Sequence, residues 1–133
     1  MVDIENEVFN GLAAELRARF SGINVYSRLI LAPTVFPCVC IEEGNNAVYR
    51  ATQDSGSMER HADVMTEVNV FSNRTNGAKA ECKAIFAVID DVMAGYGFTR
   101  QGKYPVKEEE PVTYRLAGRY RAVVSENKIT YRR

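Results

Sequence analysis

The residues most able to do chemistry in this sequence are three cysteines and the only histidine. Cys38 and Cys40 stand two positions apart, so on a strand their thiols point to the same side. With Cys82 and His61 they would make a Cys₃His set of zinc ligands. Zinc motifs, however, bring their ligands in close pairs on turns, which this spacing does not do. Cys82 also lies on the apolar stripe of a predicted helix, where a free cysteine packs as a small hydrophobic residue. We therefore expect buried thiols, no metal and no cofactor.

His61 would act as a general base only with a nucleophile and an orienting acid beside it. Ser55 and Ser57 are near it in sequence, but neither has the flanking glycines of a nucleophile elbow. The surrounding residues are polar, so we predict a solvated histidine in a loop. Glu59, Arg60 and His61 are then candidates for docking to a partner, and we do not expect an enzyme.

Charged residues form three further groups. Asp90 and Asp91 are adjacent in a predicted helix, where neighbouring side chains diverge by about 100° and cannot converge on one ligand. We interpret them, and the three glutamates at 108–110, as solvated or as partners for arginines. The third group, on one side of the longest predicted strand, is Arg115, Arg119 and Arg121. That basic side either blocks edge aggregation, or meets an acidic neighbour or lines a channel for DNA.

Two helices and several strands must position these residues. Apolar residues at helical spacing predict amphipathic helices over 3–20 and 78–94. Alternating side chains predict strands at 36–42, 47–52, 63–72, 98–104, 112–125 and 128–133. Strand 112–125 would span about 45 Å, beyond the usual length. Either Gly118 bends it at a bulge, or one end extends past the domain to pair elsewhere.

A long projecting hairpin is the most distinctive predicted feature. Residues 44–46, Gly-Asn-Asn, predict a tight turn before the first arm at 47–52. The second arm is 63–72, and the polar connection 53–62 is long enough to suggest a contact arm. Taken together, the elements predict an α+β fold in a single domain, 1–133. Its sheet is mostly antiparallel, with two helices packed on one face.

Composition excludes several function classes. The 17 basic and 17 acidic residues balance, which argues against general binding to nucleic acid or membrane surfaces. A net charge near zero also suits a protein that associates with its own copies. The acidic first residues do not have the pattern of a signal peptide, and no stretch approaches the ~20 apolar residues of a membrane helix. We therefore expect a protein folded in the cytosol.

The run EVNVFSNRTNGAKAECKAIFAVIDDVMAGYGFTR, residues 67–100, resembles the tail terminator (tail completion) proteins of long-tailed bacteriophages. MVDIENEVFNGLAAELRARF, FPCVCIEE and YRLAGRYRAVV extend the resemblance over most of the chain. The resemblance consists of the order of helices and strands and of a strand–turn–helix–Gly-Phe core. It does not identify any functional residue in this chain. The resemblance implies a small α/β protein that forms a ring, commonly a hexamer, which caps the tail tube and faces the head-side neck.

The resemblance implies a phage or prophage protein of the virion tail or neck, assembled in the cytoplasm of a bacterial host. Expected partners are copies of itself, the tail tube protein and a neck (head-completion) protein. DNA would pass through the lumen without sequence-specific binding, and no membrane is involved. The resemblance assigns no residues to this surface; from their charge, we expect Arg115, Arg119, Arg121, Asp90 and Asp91 at the subunit or lumen surface. Two alternatives stay open: a head–tail connector (stopper or adaptor), and a small metal- or ligand-binding α+β domain.

Overall fold

A computed structural model describes residues 3–48, 61–108, 113–125 and 130–131 of the chain. In chain order the elements are α1 (Glu5–Arg19), β1 (Asn24–Tyr26), β2 (Cys38–Val48), β3 (His61–Ser72), α2 (Ala78–Gly95), β4 (Thr99–Val106), β5 (Tyr114–Ser125) and β6 (Thr130–Tyr131). No helix in these ranges has both the length and the hydropathy needed to cross a membrane.

The strands form one six-stranded sheet in the order β1-β2-β3-β5-β4, with β6 also beside β5. β1 pairs with β2 in parallel, and the other pairings are antiparallel. Both helices pack on one face of the sheet around a shared core. The α+β class, the mostly antiparallel sheet and the one-sided helices are thereby confirmed. The long hairpin is β2 with β3, and its connecting residues 49–60 lie outside the described residues.

The helices form where helical periodicity predicts them. The buried stripe of α2 consists of Cys82, Ile85, Phe86, Ile89 and Met93. Gly77 and Gly97, which flank α2, have φ of 98° and 87°, a region that glycine enters without a steric penalty. α1 crosses α2 closely at Gly11, where an added Cβ would lie 2.0 Å from the Tyr96 hydroxyl. That hydroxyl donates to the Glu7 carbonyl at 3.4 Å, so the two helices form one packed layer.

β3 and β5 pair without interruption from His61↔Ser125 to Ser72↔Tyr114. Even-numbered side chains of both strands face the helices; on β5 they include the buried Tyr120 and Val124. Odd-numbered side chains point the other way, onto what we call the open face of the sheet. The register therefore decides which residues join the core and which reach the open face.

Part of the open face is covered by the loop 27–37. Tyr26, Leu29, Ile30 and Phe36 pack there against a second small core, whose buried members are Cys38, Cys40 and Phe71. All four residues of β2 from Cys38 to Ile41 are buried, because helices cover one side and this loop the other. The start of β2 is thus covered on both faces, as its run of apolar residues predicts.

Two predictions about irregular backbone are wrong. Residues 44–46 do not form a tight turn: β2 is one strand, and the register shifts between Glu43 and Asn45 at a bulge. β5 neither bulges against β3 nor extends past the domain, since β3 pairs with it over its whole length. Gly118 instead lies under the Phe86 ring, where an added Cβ would be 2.3 Å from Cζ.

We predict that Gly118→Ala destabilises the fold by about 1–3 kcal/mol, because the new methyl group must displace a fully packed ring. Gly95→Ala is the matched control, since a Cβ there meets nothing within 4 Å. That variant should be as stable as the parent, or more so. Urea unfolding followed by circular dichroism measures both, and equal stability of the two variants would contradict the close Gly118–Phe86 packing.

Candidate interaction surface

Arg115, Arg119 and Arg121 all lie on the open face, as alternation along β5 predicts. Each arginine has an acidic or amide partner within the same chain. The Arg121 guanidinium donates twice to Asp63, with Nε 2.7 Å from Oδ1. Arg119 Nε lies 3.4 Å from Glu67 Oε1. These partners come from β3, so the basic strand is flanked by an acidic one.

Arg115 is held more firmly than the other two arginines. Its Nε donates to Asn69 Oδ1 at 2.9 Å, and its Nη1 lies 3.4 Å from Glu108 Oε1. The guanidinium carbon also lies 5.2 Å from the centre of the Phe71 ring. Its side chain is 16% exposed, against 52% for Arg119. Arg115 therefore ties β5, β3 and the segment after β4 together.

The arginines of β5 are balanced by acidic residues on the open face. Asp63, Glu67 and Glu108 pair with them, and by alternation Glu42 of β2 lies on the same face. Binding to nucleic acid depends on cations that can neutralise phosphates, and these cations already have carboxylate partners. As a lumen surface, this face would offer DNA little attraction. The role predicted for these arginines at a subunit or lumen surface stays a prediction.

Asp90 and Asp91 lie on α2, in the helix layer on the opposite side of the sheet. Asp90 Oδ1 accepts a hydrogen bond from the Tyr120 hydroxyl at 3.0 Å and lies 3.2 Å from Arg100 Nη1. Burial and this hydrogen bond raise the pKa of Tyr120. Asp90 thus joins α2 to β5 and β4, whereas Asp91 is exposed.

The prediction that His61 lies in a solvated loop is wrong. His61 is the first residue of β3, is half-buried and pairs with Ser125. β3 begins at His61, two residues before the predicted start at 63. Ala62 is buried and continues the alternation of buried and less buried side chains toward His61. Glu59 and Arg60 lie outside the described residues, so docking through 59–61 stays a prediction. Glu109 and Glu110 of the acidic run also lie outside.

The sheet separates the cysteines that could have formed a metal site with His61. Cys38 and Cys40 are buried on the open-face side with their Sγ atoms 4.0 Å apart. Cys82 lies on the helix side, and its thiol donates to the Val70 carbonyl at 3.6 Å. His61 pairs at the far end of β3 from Phe71, the residue opposite Cys38. The four residues that were considered as zinc ligands therefore do not converge.

The two neighbouring thiols differ in pKa. The hydrogen bond between them raises the pKa of Cys38. The same bond, with one that Cys40 accepts from the Ile30 N–H at 3.4 Å, lowers the pKa of Cys40 to about 7. Burial raises the pKa of Cys82 to about 12, consistent with an unreactive packed thiol.

Two strands near the opposite ends of the sheet carry opposite charge. β4 is the last strand at one end and contains Arg100 and Lys103 and no acid. At the other end β1 pairs with β2 only at Cys38–Cys40, and β2 contains Glu42 and Glu43 and no base. The sequence carries no signal for these residues except the sign of the charge within each strand, which has meaning only once the positions of both strands in the sheet are known.

Carboxylates crowd the β2 edge. Ligand oxygens of Asp3, Glu5 and Glu43 lie within 4.8 Å of one another. Glu5 Oε2 also accepts the Glu43 backbone N–H at 2.9 Å. Burial, followed by repulsion from Glu5 and Asp3, raises the pKa of Glu43. The cluster is therefore destabilised in its fully ionised form.

Comparison with known proteins gives a likeness in fold and none in sequence family. No protein-family model matches the chain, and no curated protein matches it. Among solved structures, the fold is similar to that of a chain from the virion of a native gene transfer agent (GTA) particle. The TM-score is 0.59 at 18% sequence identity, and the alignment covers 87% of this chain and 92% of the other. At this identity, the likeness shows a shared fold.

We predict that Arg115→Ala lowers the free energy of unfolding by about 1–3 kcal/mol, because it leaves Asn69 and Glu108 without their partner. Arg119→Ala, which removes an exposed pair with Glu67, should change it by less than about 1 kcal/mol. Thermal unfolding at low and high salt measures the stability of both variants. An equal loss of stability in the two would show that the contacts of Arg115 stabilise the fold no more than those of Arg119.

We predict that Glu43→Gln stabilises the monomer at pH 7, by less than about 1 kcal/mol. The pKa of Glu43 is raised in the folded protein, so ionisation of Glu43 lowers the stability of the parent chain as pH rises through that pKa. Below the ordinary pKa of 4.5 the carboxyl is neutral in the folded and the unfolded chain, and the advantage of Glu43→Gln over the parent should vanish. Glu15→Gln is the control: it loses an exposed pair with Arg19 and should gain nothing at pH 7. Melting temperatures from pH 3 to 8 measure both variants, and a loss of stability on Glu43→Gln at pH 7 would contradict the repulsion.

Proposed function

We propose that this chain is a structural protein of a phage-like virion, and specifically a tail terminator. Copies of it would form a ring that caps the tail tube and joins it to the head-side neck. The observation that carries the proposal is the shared fold with a chain of the GTA virion, which extends over 87% of this chain. The sequence resemblance to tail terminators over residues 67–100 supports the same function independently.

The described surface suits assembly better than catalysis. The three arginines of β5 are engaged by carboxylates and an amide of the same chain, and the cysteines are buried. The large apolar side chains that are exposed, among the described residues, are Leu31, Val35 and Tyr104. Leu31 and Val35 project from the loop 27–37, whose other apolar residues fill the second core. An exposed apolar loop anchored in this way is suited to contact with another protein.

The electrically balanced open face is consistent with a ring through which DNA passes. A lumen wall with free cations would retain DNA at each phosphate, whereas paired arginines reduce that attraction. On this proposal the protein has no enzymatic activity and needs no cofactor. Its partners are its own copies, the tail tube protein and a neck protein.

Electron microscopy of the purified protein, alone and with tail tube protein, tests the proposal. We expect rings whose central opening is wide enough for duplex DNA, and rings seated on the ends of tubes. Deleting the gene in a cell that produces the particles should give tails of irregular length that do not join heads. Tails of normal length, joined to heads, would overturn the proposal. Tubes of normal length that fail to join, with the protein bound to the portal, would instead indicate a stopper or adaptor.

A further inference from the structure

We infer that the outer edges of β2 and β4 are the two halves of one interface between copies of this chain. The edge of β4 in one copy meets the edge of β2 in the next. This rests on the ring of the proposed function and identifies the contact that closes it. The edges differ from each other, so the contact is head-to-tail, the kind that generates closed rings.

Within the described ranges, β4 pairs with β5 on one side and with no strand on its other side. β1 covers β2 from Cys38 to Cys40, so β2 from Ile41 onward pairs with β3 alone. At Glu43 the backbone N–H is already bound by the Glu5 side chain of α1. What the outer side of β2 offers another copy is therefore its acidic side chains more than its backbone.

The charges at the two edges are complementary. Lys103 of β4 and Lys107 just after it have no carboxylate within ion-pair distance in the part of the chain that the structure describes. At the β2 edge, Asp3, Glu5 and Glu43 lie together without a described cation beside them. A lysine from a neighbouring copy would relieve the repulsion among these carboxylates.

The two charged groups also lie on the same side of the sheet. Lys103 pairs opposite Gly118, and its Nζ lies 5.8 Å from the centre of the Phe86 ring on the helix side. Glu43 contacts α1, which lies on that side as well. If two copies join these edges with their helix sides aligned, Lys103 of one copy and Glu43 of the next lie on the same side of the joined sheets. The successive antiparallel pairings also make β4 run opposite to β2.

Charge, more than continuous backbone pairing, specifies this contact. β4 has a bulge between Arg100 and Gly102, and its Pro105 has no N–H to donate. Bulges, proline and lysine are the features that keep sheet edges from pairing indiscriminately. The β4 edge is therefore poorly suited to pair with an arbitrary strand, and its lysine favours contact with a complementary acidic surface.

A charge exchange tests the contact on the full chain. Lys103→Glu makes both edges acidic. Glu43→Lys leaves Asp3 and Glu5 in place but puts a cation at the position that Lys103 of the next copy would contact, so each variant alone should assemble more weakly than the parent. Like charges placed opposite each other should weaken association by about tenfold or more. An equimolar mixture of the two variants should form rings again, because each edge then meets its opposite. The double variant, with both changes in one chain, should also assemble.

Sedimentation velocity and electron microscopy provide the readouts, with thermal melting to show that each variant is folded. Lys83→Glu, the same charge change on the exposed side of α2, is the matched control and should assemble like the parent. Rings of the two single variants at parental concentration would overturn this interface and leave the proposed function intact. Failure of both the mixture and the double variant to assemble would also overturn it. A parent chain that stays monomeric with tube protein present would overturn the proposed function itself.

Discussion

The surfaces of this protein follow from the uninterrupted register between β3 and β5. Because side chains alternate across a strand, a slip of one residue would exchange the core with the open face. In the observed register, the valines of β3 and Tyr120 pack under the helices, while Glu67 lies opposite Arg119. Gly118 also depends on this register, because the Phe86 ring of α2 occupies the space that a side chain at position 118 would need. A change in the register of β3 and β5 would therefore disturb the packing of α2 and the arginine pairs at the same time.

Much of the fold could be predicted from local pattern. The periodicity of α1, α2 and β5 is strong, and it correctly places Arg115, Arg119 and Arg121 on one side. The errors fall where a short signal has two structural interpretations. Glycine followed by asparagines is typical of a turn and also of a bulge, and only the partner strand distinguishes them. Gly118 suggests a bend in sequence, because the sequence does not show that the Phe86 ring packs above it.

The surface was harder to predict than the fold, because its chemistry depends on distant partners. The arginines of β5 appear as a basic stripe in the sequence, but Asp63, Glu67 and Glu108 neutralise it in three dimensions. Conversely, the sequence gives no reason to select Glu43 or Lys103. Their opposite charges become relevant only when the structure places them on β2 and β4, near opposite ends of the sheet. The likeness at 18% identity follows the same logic, since many residue choices satisfy one pattern of burial and pairing. A shared architecture can therefore persist while the contacts at its borders diverge.

The central pairing also determines when the molecule can become complete. β3 and β5 are adjacent in space, but α2 and β4 lie between them in the chain. To pair these strands, the chain must lose the entropy of a long loop before the contacts between the strands form. This cost slows folding relative to helical proteins of similar size. Until β5 pairs, the hairpin of β2 and β3 has an open edge along β3, whose backbone N–H and C=O groups can pair with another chain. The incompletely folded chain is therefore most prone to aggregation before this long strand is in place.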